Sequence, residues 1–165
     1  MILVTVGTAR QPFDRMMIAV EEVLTACPPN GEEVIVQHGS SRVPKVGTAH
    51  AFLPREQHER LVREASMVIS HAGVGTIIIC LRQGKRALVM PRRADHGEQA
   101  NNHQIELAER LASQGFVFLA HDSAELRAHL ARPRSEFLIE PPARNAVAVR
   151  LVRRFLGEIV LASPE

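Results

Sequence analysis

The chain has 165 residues, which is enough for one globular domain with a core and not comfortably enough for two. Its residues are 45% hydrophobic and 23% charged, which excludes the low hydrophobicity and high net charge of a disordered chain. A net charge of +2 and the absence of Trp and Tyr argue against a dedicated nucleic-acid-binding protein, because such proteins are basic and stack bases on aromatic rings. We therefore predict a single domain over residues 1–165.

Short apolar runs alternate with helical patterns along this domain. Residues 2–6 are apolar and mostly β-branched and end at Gly7, which is typical of a strand buried on both faces. Residues 13–26 have apolar side chains at helical spacing and stop before Pro28, which cannot continue a helix. The remaining predicted elements are strand 33–37, short extended pieces up to 52, helix 54–65, strand 67–70, helix 74–82, strand 87–90, a polar loop from 92 to 102 leading into a helix that ends near 114, strand 116–119, a loop at 132–142 and a terminal helix at 143–161.

Strands that alternate with helices and are joined by short polar turns predict an α/β fold with a parallel sheet covered by helices on both faces. Cys27 and Cys80 show neither a metal-ligand nor a CxxC spacing and fit a reducing compartment. The first residues lack the pattern of a signal peptide, and no apolar stretch has membrane-spanning length. We therefore expect a cytoplasmic protein.

One turn of the predicted sheet has the pattern of an anion site. The strand that ends near His71 runs into Gly73 and Gly75, and Thr76 follows in the first turn of a helix. Glycines let backbone N–H groups approach an anion, and a helix N-terminus supplies partial positive charge. By itself Gly-x-Gly-Thr more often means a tight turn with a hydroxyl cap. The pattern also lacks the further residues of a Rossmann fingerprint or a Walker loop.

Several stretches together are far more specific than this turn. They are VISHAGVGTI at 68–77, LRQGK at 81–85, VMPRR at 89–93 and NHQIELA at 102–108. They resemble the C-terminal domain of family-28-type glycosyltransferases. The likeness is greatest to split enzymes of dolichol-linked chitobiose and bacterial exopolysaccharide synthesis, whose donor-binding half is a separate small subunit. The opening VTVGT at 4–8, followed by Phe13 and Asp14, resembles the start of that subunit, so the resemblance covers nearly the whole chain.

The resemblance implies a Rossmann-like fold equivalent to the C-terminal half of a GT-B glycosyltransferase. It implies a UDP-sugar as donor substrate, with no cofactor and no metal. His71 would be the catalytic residue that stabilises the leaving UDP, although a lone histidine at a strand end is often only structural. The residues implied around the diphosphate are Gly7, Thr8, Gly73, Gly75 and Thr76.

Two further pairs are implied at the ends of the donor. Phe52 and Leu53 match a position that holds uracil, although a pair of apolar residues is found equally often in a hydrophobic core. His103 and Gln104 match a pair that hydrogen-bonds sugar hydroxyls, and the alternative is that both simply face solvent on a helix. Ile79 stands where full-length relatives carry a ribose-binding Glu, which leaves nucleotide selectivity open.

Other features leave alternatives open. No acceptor base stands out beyond His71, and Glu98 is a candidate by its place in a loop. The terminal helix has an apolar stripe that either buries against the sheet or, as in the split family, contributes to partner docking. The stripe consists of Val147, Leu151, Phe155 and Ile159.

The resemblance therefore predicts the donor-binding catalytic subunit of a two-subunit inverting hexosyltransferase. It would move a sugar from a UDP-sugar to a lipid-linked saccharide, together with a membrane-associated acceptor-binding subunit at the inner face of the membrane. Two other functions remain open: a non-catalytic nucleotide-sugar-binding regulatory module, and a stand-alone nucleotide-sugar hydrolase or epimerase. Sugar transfer on addition of a partner would exclude the first, and turnover by the chain alone would favour the second.

Overall fold

Six parallel strands form the centre of the molecule in a computed structural model that describes residues 1–29, 31–139, 149–155 and 157. The strands are β1 (Ile2–Thr5), β2 (Val34–Gln37), β3 (Thr48–His50), β4 (Met67–His71), β5 (Leu88–Met90) and β6 (Phe118–Leu119). The helices are α1 (Asp14–Ala26), α2 (Arg55–Glu64), α3 (Val74–Arg82), α4 (His103–Ser113) and α5 (Ser123–Leu130). Short 3-10 turns at Ala94–His96 and Arg134–Phe137 lie in segments that the sequence analysis left as loops.

The strand order is β3-β2-β1-β4-β5-β6, and every pairing is parallel, which confirms the predicted parallel sheet. The chain runs outward from β1 to β3 in one direction and from β4 to β6 in the other. The order therefore reverses between β1 and β4, where Thr5 pairs with Ser70. Crossovers on either side of such a reversal leave a crevice at the carboxyl ends of the two central strands, which is where open α/β sheets bind ligands.

Alternate residues of the central strands point to opposite faces of the sheet and contribute to two hydrophobic cores, one on each face. Leu3 and Val68 point to the side covered by α2, α3, α4 and the helical residues 149–155. Ile2, Val4 and Ile69 point to the opposite side, covered by α1 and α5. Both faces are apolar because helices cover both, which is why these strands read as continuous apolar runs rather than alternating ones. The predicted covering of both faces is thus confirmed.

Helix α5 was not predicted from the sequence. The Asp122 carboxylate accepts a hydrogen bond from the Glu125 backbone N–H at 2.8 Å, and the Glu125 carboxylate accepts one from the His121 N–H at 2.8 Å. This reciprocal arrangement is close to a capping box, so Asp-x-x-Glu was a usable signal for the helix start. The apolar pattern gave no help, because Leu126 is the one buried hydrophobic residue of this short helix.

The terminal helix is described at residues 149–155 and 157, where it packs on the core rather than standing apart. Val152 is 0% exposed and Phe155 is 4% exposed, and the Arg110 guanidinium of α4 lies 5.0 Å from the centre of the Phe155 ring. Phe155 therefore packs in the core, as one of the two interpretations of the stripe expected, and does not form an exposed surface for a partner. Val147 and Ile159 of the predicted stripe lie outside the described residues.

None of the helices in the described ranges is long and apolar enough to cross a membrane.

The burial of Phe155 makes a direct prediction for stability. We expect Phe155→Asp to lower the free energy of unfolding by at least about 3 kcal/mol, since removing a buried Phe side chain alone costs about 3–5 kcal/mol. Arg153→Asp places the same carboxylate at an exposed position of the same helical segment and should cost less than about 1 kcal/mol. Urea denaturation followed by circular dichroism measures both, and equal losses would show that Phe155 is not a core residue.

Candidate functional site

A cavity of about 610 Å³ opens at the carboxyl edge of the sheet, at the point where the strand order reverses. Its walls come from the ends of β1, β2 and β4, from one side of α3 between Gly75 and Arg82, and from α2 and the segment before it. The lining residues are Thr5, Gly7, Thr8, Gln37, Leu53, Arg55, His58, His71, Gly75, Thr76, Ile78, Ile79 and Arg82. Most of the site residues predicted from the sequence therefore meet in one place, although they come from distant parts of the chain.

The N-terminus of α3 lines this cavity. The first hydrogen bond of the helix runs from the Ile77 N–H to the Gly73 carbonyl at 3.1 Å, so the N–H groups before Ile77 have no acceptor within the helix. The N-cap residue is Gly73, and among the described residues no side chain caps the helix. The hydroxyl-cap alternative from the sequence is therefore not what the structure shows. Free N–H groups and the positive end of the helix dipole suit an anion.

Gly75 leaves open space beside these N–H groups. A Cβ atom built there would meet no other atom within 4 Å, whereas Thr76 beside it is buried, with 7% of its surface exposed. A side chain at position 75 would thus extend into the cavity without disturbing its walls.

His71 ends β4 and packs between two glycines from different strand ends. A Cβ atom at Gly7 would lie 2.5 Å from the ring atom Cε1, and one at Gly73 would lie 2.0 Å from Nε2. Real side chains do not approach so closely, so any larger residue at either position would displace the imidazole. Gly7 also has a φ of +75°, which side chains rarely adopt. These two glycines therefore make room for the ring of His71.

The surroundings of His71 keep its ring uncharged at neutral pH. Burial and then the positive charge of Arg92 lower the pKa of His71 from 6.5 to about 4, with His58 adding a smaller effect in the same direction. A backbone hydrogen bond with Thr5 opposes this shift only in part. Burial also lowers the pKa of His58. In the free protein His71 is thus an uncharged imidazole and not an imidazolium cation.

Gln37 is a site residue that the sequence analysis missed. Its Oε1 accepts hydrogen bonds from Thr5 Oγ1 at 2.6 Å and from the Gly7 N–H at 3.2 Å. Its Nε2 donates to the carbonyl oxygens of Gly7 and Ala51, both at 2.9 Å. One amide at the end of β2 therefore ties the turn after β1 to the segment before α2. A polar residue at the end of an otherwise apolar strand was the available signal.

Glu98 is not available as an acceptor base. Its carboxylate accepts hydrogen bonds from Nε and Nη2 of Arg15, both at 2.9 Å, and from the backbone N–H of Arg93, also at 2.9 Å. It is 6% exposed. The bidentate ion pair instead fastens the loop after β5 to α1.

The predicted uracil and sugar residues divide between the cavity and its surroundings. Leu53 lines the cavity together with Ile78 and Ile79, whereas Phe52 is 56% exposed and is not part of the lining. His103 and Gln104 lie at the start of α4, also outside the lining. Gln104 Oε1 accepts from the Arg92 N–H at 3.2 Å and its Nε2 donates to Gln99 Oε1 at 2.6 Å, so this amide is engaged within the protein.

The charged residues that line the cavity favour an anionic ligand. Arg82 and Arg55 contribute positive charge, Arg55 while paired with Glu59 on the same helix at 2.8 Å, and the described lining contains no Asp or Glu. Within the described ranges, no three His, Cys, Asp or Glu side chains are grouped so that they could hold a metal ion. The cavity thus offers backbone N–H donors, an uncharged imidazole and an apolar wall around Ile79, a combination that suits a phosphorylated molecule with one flat, apolar part.

The chain belongs to the glycosyltransferase family 28 C-terminal domain, which its sequence matches over residues 1–136. This confirms the resemblance inferred from the motifs, and the match includes every residue that lines the cavity.

Among named relatives, the UDP-N-acetylglucosamine transferase subunit ALG13 of Eremothecium gossypii is 34% identical over 134 residues, which is 79% of this chain and 63% of the relative. The subunit of the same name from Yarrowia lipolytica is 28% identical over 140 residues, covering 74% of this chain and 66% of the relative. The chain therefore spans less than two thirds of the length of the first of these proteins.

Solved structures agree on the fold. The NMR structure of ALG13 superposes with a TM-score of 0.59 at 22% identity, covering 92% of this chain and 94% of that one. The crystal structure of Acinetobacter baumannii MurG superposes with a TM-score of 0.62 at 16% identity, covering 93% of this chain and 49% of that one. The fold is therefore the Rossmann-like unit that makes up about half of a GT-B glycosyltransferase, as the resemblance implied.

The contact between Gly73 and His71 can be tested without any ligand. We expect Gly73→Ala to lower the free energy of unfolding by about 1–3 kcal/mol, because the added methyl group overlaps the imidazole. Gly75→Ala, which enters open space in the same helix, should leave stability unchanged or raise it by up to about 1 kcal/mol. In a His71→Ala background the penalty at position 73 should largely disappear, and a penalty that persists would mean that the ring is not the obstacle.

Proposed function

We propose that this chain is the donor-binding, catalytic subunit of an inverting glycosyltransferase that uses a UDP-sugar. The observation that carries the proposal is the open N-terminus of α3, which lines the cavity at the reversal of the sheet, where the described lining residues include basic but no acidic side chains. The diphosphate would bind to the free N–H groups around Gly75 and Thr76 and to the turn at Gly7 and Thr8. The names of the relatives, which are UDP-N-acetylglucosamine transferase subunits, support this nucleotide class.

The reaction would be a direct displacement at the anomeric carbon of the donor. A hydroxyl oxygen of the acceptor forms the new bond while the bond from carbon to the diphosphate oxygen breaks, and its electron pair stays on the leaving UDP. The charge that develops there is stabilised by the N–H groups of α3 and by a hydrogen bond from the His71 ring, which requires the one N–H of the uncharged ring to exchange its backbone bond with Thr5 for one to the diphosphate. Because the N–H groups of α3 are fixed before the reaction, they need no reorganisation as the charge appears.

The proton of the acceptor hydroxyl needs a base, and the two histidines of the described cavity are weak ones, because burial lowers the pKa of both His58 and His71. The described lining contains no carboxylate, and Glu98 is held by Arg15. We therefore assign the base to a partner subunit, which also forms the other wall of the cleft and binds the acceptor. The word subunit in the names of the relatives supports a heteromeric enzyme. The proposed partner is membrane-associated and presents a lipid-linked saccharide at the cytoplasmic face, where this chain is peripheral.

The two ends of the donor are assigned by position. Leu53 and Ile79 provide an apolar surface for uracil, with Phe52 at its exposed edge. His103 and Gln104 are proposed to contact the sugar hydroxyls, which requires the Gln104 amide to exchange its bond to Gln99 for one to the sugar. Which sugar is transferred depends on this exchange.

Filling the space at Gly75 tests the phosphate site. Gly75→Val should weaken UDP binding by roughly a hundredfold or more, because two or more hydrogen bonds to a charged group are lost at about 1.5–3 kcal/mol each. The fold should remain native, since the side chain enters open space. Gly157→Val is the control, because that glycine is also helical and open but does not line the cavity. Calorimetry with UDP measures both variants, and unchanged affinity at position 75 would remove the helix N-terminus from the site.

Transfer should require both subunits. Radiolabelled UDP-N-acetylglucosamine and other UDP-sugars are supplied with membrane-extracted lipid acceptor to the purified chain, with and without a candidate membrane-associated partner. We expect labelled lipid only when both proteins are present, and none when the chain carries Gly75→Val. Efficient transfer by the chain alone would contradict the two-subunit proposal, and release of free sugar without acceptor would favour a hydrolase.

A further inference from the structure

Arg92 lies two residues beyond β5 and is 0% exposed, although it carries a positive charge. Its Nη2 donates to the Val6 carbonyl at 3.1 Å, and its Nη1 donates to the carbonyls of Gln11 at 2.9 Å and Glu98 at 3.1 Å, with Pro12 at 3.4 Å. Fully buried arginines are rare unless they are paired. Here, within the described residues, the hydrogen-bond acceptors of the guanidinium are backbone carbonyls rather than a carboxylate.

These bonds hold the connection between β1 and α1 at both of its ends. Val6 precedes the turn at Gly7 and Thr8, and Gln11 lies just before α1. The ring of Phe13 packs against the same guanidinium, with its centre 4.8 Å from the Arg92 Cζ atom. A planar group with five donors in a fixed geometry can hold such separated carbonyls together, whereas an ammonium group offers three donors on one nitrogen and no planar fork. Arg92 thus holds the residues next to the Gly7 turn, in addition to the bonds that Gln37 makes to Gly7 itself.

The charge of Arg92 is not cancelled by a direct ion pair. The neighbouring carboxylate is that of Glu98, which is already bonded to Arg15 Nε and Nη2 and to the Arg93 N–H. Burial lowers the pKa of Arg92, and Glu98 opposes this shift. Arginine nevertheless stays protonated in proteins. A fixed positive charge therefore lies buried next to the turn that lines the donor cavity.

This charge acts on His71. Arg92 lies two residues beyond Met90, and Met90 pairs with His71 in the sheet. Arg92 also binds the carbonyl of Val6, the residue before Gly7, and Gly7 packs on the His71 ring. The other charged or titratable groups that share this cavity are His58 and Arg55 on α2 and Arg82 on α3. The neutral Ser70 Oγ lies 3.3 Å from His71 Nδ1.

We propose that Arg92 is a positioning residue of the donor site: its guanidinium holds the turn at Gly7 and Thr8 in place and puts a fixed positive charge close to the ring of His71. This inference rests on the proposed function only for the identity of the ligand, a nucleoside diphosphate. Arg92 touches neither the cavity nor the donor and acts through the turn and through the imidazole. The same charge raises the positive potential of the cavity, which favours the diphosphate.

Two variants separate the charge of Arg92 from its shape. Arg92→Lys keeps the charge and loses the planar group, whereas Arg92→Gln loses the charge and keeps N–H donors. The readouts are the pKa of His71, from an NMR titration of the ring assigned with His71→Gln, and the UDP affinity from calorimetry. The control is Arg93→Gln, which removes a charge one residue further on. Arg93 has 41% of its side chain exposed and is paired with Asp95 rather than with the β1 connection.

The pKa of His71 should be about 4 in the native protein and stay near that value in Arg92→Lys. In Arg92→Gln the pKa of His71 should rise, because the positive charge that lowers it is lost, while burial still keeps it below 6.5. UDP affinity should fall roughly tenfold or more in both variants, because bonds that fix the turn are lost. Arg93→Gln should leave both readouts at the native values.

A His71 pKa that is unchanged in folded Arg92→Gln would overturn the electrostatic part of the proposal, and native UDP affinity in both Arg92 variants would overturn the positioning part. If Arg92→Gln fails to fold, the UDP affinity of Arg92→Lys tests the positioning role. Native UDP affinity in Arg92→Lys would show that the site does not need the planar guanidinium. If the native protein binds no UDP, the proposed function fails, but the titration of His71 still decides whether the charge of Arg92 acts on this ring.

Discussion

The packing of one imidazole between two strand ends organises this molecule around its cavity. The ring of His71 occupies the space where Gly7 and Gly73 would have side chains, so β1, β4 and the start of α3 meet at a common point. The parallel pairing of β1 with β4 brings these ends together, and the reversal of strand order leaves the crevice above them uncovered by a crossover. The reversal of strand order thus opens the cavity, and the contact between His71 and the two glycines fixes how β1, β4 and the start of α3 meet at its wall.

Polar side chains beneath and beside the cavity hold its turns in place. Gln37 ties the Gly7 turn to the segment before α2, and Arg92 ties the same turn to the loop after β5. Glu98 and Arg15 fasten that loop to α1. Buried polar groups are costly unless their hydrogen bonds are made, so such a network is stable in one arrangement. The backbone donors that would bind a diphosphate are thereby held in position before any ligand arrives, which is the arrangement that electrostatic catalysis requires.

Much of the fold could be predicted because the strongest signals are local. The apolar runs at β1, β4 and β5 and the helical spacing of α1 and α3 each arise from burial against both faces of the sheet, and their predicted bounds lie close to those observed. Helix α5 was missed because it is short and mostly polar, so that its start was marked by the Asp122–Glu125 cap rather than by hydrophobicity. The interpretation of Phe155 stayed open because an apolar stripe has the same appearance whether it covers a core or a partner.

The sequence by itself determined the class of the sheet, the glycine-rich turn at 73–76 and the family, because each depends on residue type and spacing along the chain. It could not determine the roles of Gln37 and Arg92, since their partners lie 30 and 86 residues away and a lone strand-end Gln or loop Arg has no distinctive pattern. Nor could it decide that Gly7 and Gly73 make room for His71, or that the ring is uncharged. These properties depend on distances and burial, which exist only once the strand ends have been brought together.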